Sequence, residues 1–150
     1  MARGFPQLEE TDYTEIFAPV SCIASFRVFI ALKTNRRLHV HHLNVKTVFI
    51  YGHCDADIYM EALAGCRVQK GKIHKLIKSL YGLKQAPKLW HQKLADALQN
   101  IGFKESGVKA CLFERDNATD EYAAFLIYVD YLTLAAILYA AIQKILKQLG

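Results

Sequence analysis

The sequence predicts a mixed α and β domain, and three observations carry that prediction. The chain has 150 residues, of which 53% are apolar and 22% charged, enough to bury one core and too apolar for intrinsic disorder. Helical and strand periodicities are interspersed along it. No repeat, low-complexity run or Pro/Gly/Ser-rich linker divides it, and it holds three prolines in all. Periodicity alone leaves α+β and α/β arrangements open.

Ser21 can cap a helix running to about Lys33, with Ile23, Phe26, Phe29, Ile30 and Leu32 as its apolar side. Leu38 to Val45 then alternates polar and apolar side chains like a half-buried strand. Short strands are expected at Ile58 to Met60 and Lys72 to Ile77, paired across a loop punctuated by Gly65 and Gly71. The clearest helix begins at Pro87, carries Trp90, Leu94, Ala97, Leu98 and Ile101 at helical spacing, and stops at Gly102. Strands follow at Cys111 to Glu114 and Tyr122 to Val129, and a last helix starts near Tyr139.

One segment competes with this order. Ala123 to Ile142 contains a single charge, Asp130, and is long enough to cross a hydrocarbon core as a helix. Insertion scales charge a central aspartate about 2.5–3.5 kcal/mol, which the surrounding Leu, Ile and Phe can offset. Composition by itself therefore permits a membrane-anchored small protein.

The charge is distributed unevenly. Nineteen basic and 14 acidic side chains leave a net +5, yet Arg67 to Ala95 holds eight basic residues and no acid. That segment suggests a polyanion-facing surface. Four cysteines form no Cys-x-x-Cys pair and the N-terminus has no signal-peptide h-region, so an intracellular, reducing compartment is expected. His39, His41, His42, His53 and Cys54 lie close in sequence, but no second ligand pair stands at zinc-finger spacing, and polar strand residues are the favoured reading.

Several strings match one family in order and separation. They are Ala2-Arg3-Gly4-Phe5, Asp12-Tyr13 with Glu15, Phe17-Ala18-Pro19-Val20, Leu43-Asn44-Val45-Lys46-Thr47-Val48-Phe49, Ile58-Tyr59-Met60-Glu61, Ser79 through Pro87 with Trp90, and Tyr128-Val129-Asp130. Together they resemble the reverse transcriptase domain of copia-type LTR retrotransposons over nearly the whole chain, most specifically in Ser79-Leu80-Tyr81-Gly82-Leu83-Lys84-Gln85-Ala86-Pro87.

The resemblance implies an α+β fold, the fingers and palm of a right-handed polymerase, with an antiparallel palm sheet backed by helices. It implies that 1–150 is a single partial domain without thumb or RNase H. Tyr122 to Tyr128 and Leu132 to Ala136 become the arms of a hairpin, which turns the apolar twenty-mer into two buried strands and a helix start and ranks a small membrane-anchored protein below the other readings. The implied chemistry is nucleotidyl transfer by two Mg²⁺ ions about 3.5–4 Å apart on template-primer RNA or DNA. Such ions need bridging carboxylates against their mutual repulsion.

Here the sequence departs from the family. Its first aspartate position is Asn44, and its Asp-Asp turn reads Asp130-Tyr131. Asp130 is then the implied catalytic and metal-binding residue that remains; an amide does not bridge cations, and a phenol with a pKa near 10 is no anion at neutral pH. The expectation is an inactive polymerase in which Mg²⁺ is not productively bound. Phe49, Tyr81 and Gly82 align with nucleotide-contacting positions, and Lys75, Lys78, Lys84 and Lys88 are the expected nucleic-acid contacts. The alternative from another class is a non-enzymatic nucleic-acid-binding or interaction module.

Overall fold

The computed structural model of the chain describes Ala2 and residues 4–61, 71–107, 109–116 and 122–149. Gly65, Arg67 and Lys70 of the expected loop and basic run, together with Arg3, lie outside the described residues. The chain divides into two compact units, Met1–Ala18 with Thr47–Gln92, and Pro19–Lys46 with Lys93–Gly150.

The second unit is built on a five-stranded antiparallel sheet. Its strands are β1 (His39–Asn44), β4 (Lys104–Ser106), β5 (Lys109–Arg115), β6 (Ala123–Tyr128) and β7 (Tyr131–Ala136), in the order β1-β7-β6-β5-β4. β2 (Tyr59–Met60) and β3 (His74–Lys75) belong to the first unit. In β6 and β7 every residue but the one at the turn is buried. One face carries Ala124, Leu126 and Ala135 in a cluster with Phe29 of helix α1 (Ile23–Asn35), Leu38, Cys111 and Tyr122. The other carries Phe125, whose ring meets Phe103 edge-on at 5.0 Å, and helix α3 (Tyr139–Leu149) lies against β7 with Ala141, Ile142 and Ile145 buried. Strands covered on both faces read as continuous apolar runs rather than alternating ones. This is why Ala123 to Ile142 mimics a membrane span. It is a hairpin followed by the start of α3, and no helix among the described residues is long and apolar enough to cross a membrane.

The expected start of α1 is corrected by one residue. Cys22, not Ser21, is the N-cap, while the Ser21 backbone N–H donates to Ile127 O at 3.3 Å. The expected apolar side is corrected too: of its five members only Phe29 is buried, and Ile23 is 72% exposed. Strand β4, which the periodicity does not reveal, is three residues long and carries Lys104 and Glu105, so tertiary pairing with β5 defines it.

In the first unit β2 pairs with β3 antiparallel, Tyr59 opposite Lys75 and Met60 opposite His74, matching the expected pairing. A 3₁₀ turn at Val48–Tyr51 supplies Phe49 to a core with Ile58, Leu83 and Ala86. Helix α2 (Ala86–Asn100) begins in this unit, where Trp90 is buried, and continues into the second, where Leu94 and Leu98 are buried.

Candidate active site

Three expected positions meet at one end of the sheet because of register. β1 and β7 pair so that Asn44 stands opposite Tyr131, and β6 and β7 pair so that Tyr128 stands opposite the same residue. Directly opposed residues share a face, so Asn44, Tyr131 and Tyr128 form one row across three strands. Asp130 sits beside this row, in the two-residue turn with Val129, and its carbonyl accepts the Val45 N–H at 3.0 Å. Asp130 is half-buried, while Tyr128 and Tyr131 are 53% and 55% exposed.

One row deeper, His42 faces Thr133, with Nδ1 3.2 Å from Oγ1. An open cleft of about 340 Å³ lies along these two rows, lined by Cys22, Phe26, His42, Tyr128, Tyr131 and Thr133 among others. The lining is rich in aromatic side chains and includes no Asp, Glu, Lys or Arg. The donor set at the turn does not fit a pair of Mg²⁺ ions: it offers one carboxylate, one amide and one phenol, where hard divalent cations held close together need several anionic oxygens. Among the described residues no three His, Cys, Asp or Glu side chains gather as a metal site.

The positions expected to contact nucleotide, Phe49, Tyr81 and Gly82, all lie in the first unit. Phe49 is half-buried, its ring 5.4 Å from that of Tyr81 in a tilted stack. The Ser79 hydroxyl donates to the Phe49 carbonyl, and Ser79 itself is fully buried. Gly82 takes φ +105°, and a Cβ on Gly4 would fall on the Gly82 carbonyl, so two glycines let the N-terminal segment run close beside Tyr81. There the Ala2 N–H donates to Tyr81 O at 2.8 Å.

Sequence reasoning missed the polar centre of this unit. Gln85 is fully buried; its Oε1 accepts from Gln7 Nε2 at 3.0 Å and its Nε2 donates to Asp12 O at 2.8 Å. Gln7 Oε1 in turn accepts the Lys84 N–H at 2.8 Å. The signal was present, since a glutamine just before the start of α2 invites the question of what satisfies its amide.

The four lysines are placed unequally. Lys75 pairs with Asp57 at 2.6 Å, and this partner raises its pKa. Lys88 pairs with Glu15 at 3.0 Å. Lys84 Nζ donates to Gln7 O at 3.1 Å and lies 5.0 Å from the Tyr13 ring centroid. Lys78 is exposed, as is Lys72. Acids distant in sequence thus stand beside the acid-free run.

Comparison with known proteins follows the same lines. The reverse transcriptase (RNA-dependent DNA polymerase) family profile matches residues 1–150. The chain is 35% identical over 132 residues to the retrovirus-related Pol polyprotein from transposon TNT 1-94 of Nicotiana tabacum, covering 87% of this chain and 10% of that protein. It is 33% identical over 132 residues to the corresponding polyprotein from transposon RE1 of Arabidopsis thaliana, covering 87% of this chain and 9% of that protein. The chain therefore spans about a tenth of the length of these relatives. No solved structure matches it.

Proposed function

Since the chain belongs to the reverse transcriptase (RNA-dependent DNA polymerase) family, we propose that it is the fingers and palm part of a copia-type Pol polyprotein whose polymerase chemistry has been lost. The five-stranded unit takes the palm role, and Asn44, Asp130 and Tyr131 stand where the family's three aspartates would. The observation that carries this reading is the pairing of Asn44 with Tyr131 beside Asp130. Convergence of these positions supports descent from a two-metal site, and their chemistry supports its failure. When bound, two Mg²⁺ would activate a primer hydroxyl and hold a triphosphate; this chain's own residues supply one anchoring carboxylate and no bridge.

Primer extension on a homopolymer template with Mg²⁺ or Mn²⁺ is expected to stay at background. Isothermal titration of Mn²⁺ is expected to give no measurable binding by the natural chain and binding by the doubly substituted Asn44→Asp, Tyr131→Asp protein. Metal-dependent extension by the natural chain, abolished by Asp130→Ala, would overturn the reading.

A second reading, retained nucleic-acid binding without catalysis, is favoured by exposed Lys72, Lys78 and Tyr81, all in the first unit. Weak RNA binding is expected, falling steeply between about 50 and 200 mM salt. Because Lys84 and Lys88 hold their own unit together, Lys72→Glu with Lys78→Glu is the cleaner test. Salt-independent or unaltered binding by that variant would place any contact elsewhere.

A further inference from the structure

A second groove in the sheet unit has apolar walls and two chemically different ends. Ser25, Val28 and Leu32 recur on α1 at spacings of three and four, so they share one side of the helix. They line a groove of about 370 Å³ with Leu112 and Glu114 of β5 and Leu126 of β6. Leu112 pairs with Leu126 and Glu114 with Ala124, which puts all four on the face of the sheet that α1 covers. Leu126 is buried, Leu32 and Leu112 are half-buried, and Val28 is 67% exposed, so the groove opens to solvent past Val28.

Contacts of α1 at both of its ends give the groove a direction. Arg36, the C-cap of α1, holds its guanidinium 4.5 Å from the ring centroid of Tyr122, whose hydroxyl donates to Glu114 Oε1 at 2.7 Å. The end of α1 therefore lies by Glu114. Ser21, just before α1, donates its N–H to Ile127 O. Ile127 follows Leu126, so in antiparallel register it lies on the Lys109 side of Leu112. The start of α1 accordingly lies toward Lys109, which lines the same groove and stands five strand positions, about 17 Å, from Glu114. Lys109 is exposed and makes no ion pair among the described residues, whereas the Glu114 carboxylate already has the Tyr122 hydroxyl. The helix start adds partial positive charge at the Lys109 end.

We propose that this groove binds a small linear alkyl carboxylate, with its tail along Val28, Leu32, Leu112 and Leu126 and its carboxylate at Lys109 by the start of α1. The inference is independent of whether the chain polymerises nucleotides. A groove of this volume falls in the range of small-molecule sites, which combine apolar walls with a few polar groups that fix orientation. Its length and its unlike ends select a linear amphiphile lying in one direction. An anionic head gains the unpaired Lys109 ammonium and the helix start. A cationic head gains little, because the acid at the far end is hydrogen-bonded already and the Arg36 guanidinium stands over the same tyrosine. The tail covers leucine side chains that the sheet and α1 leave half in water.

The test titrates the full ¹⁵N-labelled chain with octanoate, 1-octanol and octylammonium and follows amide shifts by nuclear magnetic resonance. Octanoate is expected to bind roughly tenfold more tightly than octylammonium, with octanol between them, and to shift the amides of Ser25, Val28 and Leu112 most. Shortening the acid to hexanoate is expected to weaken binding roughly tenfold, from the two methylenes no longer buried. Lys109→Glu is expected to weaken octanoate about tenfold and leave octanol unchanged, whereas Val28→Asp weakens both. Lys109 and Val28 are exposed, and the amide spectrum of each variant reports its fold. No binding of octanoate, equal binding of octanoate and octylammonium, shifts centred away from α1 and β5, or a folded Lys109→Glu protein with undiminished octanoate affinity would each overturn the proposal. The head-group series on the natural chain decides the matter even if a variant fails to fold.

Discussion

Val129 shows what one residue at the hairpin tip costs. It takes φ +54°, the left-handed region in which a β-branched side chain crowds its own backbone. Such a conformation is worth about 1–2 kcal/mol of strain per residue, and it persists because six cross-strand pairs between β6 and β7 leave the turn two residues. Val129→Asn is therefore expected to stabilise the chain by about 1 kcal/mol, since Asn tolerates this region. In thermal unfolding that appears as a rise in midpoint of roughly 2–4 °C, and a fall would show that Val129 gains more from its side-chain contacts than it loses in strain. Tyr122 makes the opposite case at the far end of the hairpin. Its hydroxyl donates to Glu114 Oε1 at 2.7 Å, the Arg36 guanidinium lies 4.5 Å from its ring centroid, and burial followed by Glu114 pushes its pKa well above the ordinary phenol value. It stays a neutral donor throughout the physiological range. Tyr122→Phe is expected to cost about 1.5–3 kcal/mol, the range for a hydrogen bond to a charged group, measured as a lower denaturant midpoint with unchanged slope.

Helices α1 and α2 end by the same device with different residues. In α2 the Gly102 N–H bonds Gln99 O at 2.9 Å and the Phe103 N–H bonds Leu98 O at 3.0 Å, with Gly102 at φ +90°. In α1 the Arg37 N–H bonds Thr34 O at 3.3 Å and the Leu38 N–H bonds Lys33 O at 2.9 Å, with Arg37 at φ +52°. Both are Schellman closures, and in each the residue after the turn, Phe103 or Leu38, is buried. Glycine was the visible stop signal for α2; arginine hid the same stop in α1. Arg37→Gly is expected to raise stability by about 1 kcal/mol by relieving the left-handed backbone. Gly102→Ala is expected to lower it, since positive φ opposes any Cβ there. Paired melts of the two variants check the opposite signs, and equal signs would show that the closures are not equivalent.

On the scale of the whole molecule, the division into two units separates two kinds of cohesion. The sheet unit is held by apolar burial on both faces of β6 and β7. The other unit is held by a small apolar core and the buried amide of Gln85, which ties Gln7 and Asp12 to the start of α2. Removing that amide leaves Gln7 and the Asp12 carbonyl without their partner and opens a void, a loss of about 2–4 kcal/mol. Gln85→Ala is expected to speed hydrogen exchange at amides of the first unit, such as Lys84 and Ser79, while those of β6 and β7 keep their protection. Uniform loss of protection would show the two units to open as one.

Local pattern by itself determined most of the element order, because strand alternation, helical spacing and turn residues act over a few positions, while strings such as Leu43 to Phe49 and Ser79 to Pro87 carried the resemblance that implied the hairpin. Asn44 and Tyr131 were equally legible as departures from the pattern that the resemblance led one to expect. Only the tertiary structure decided what meets across the chain. It set Asn44 opposite Tyr131 through register, and it covered both faces of the segment that otherwise reads as a membrane span. It created β4 by pairing where propensity was weak, buried Gln85, and left most of the apolar side of α1 in solvent. It also supplied Asp57 and Glu15 to a lysine run that holds no acid of its own. The physical reason is common to all of these: burial, charge pairing and strand register depend on partners distant in sequence, and no local window contains both members of the pair.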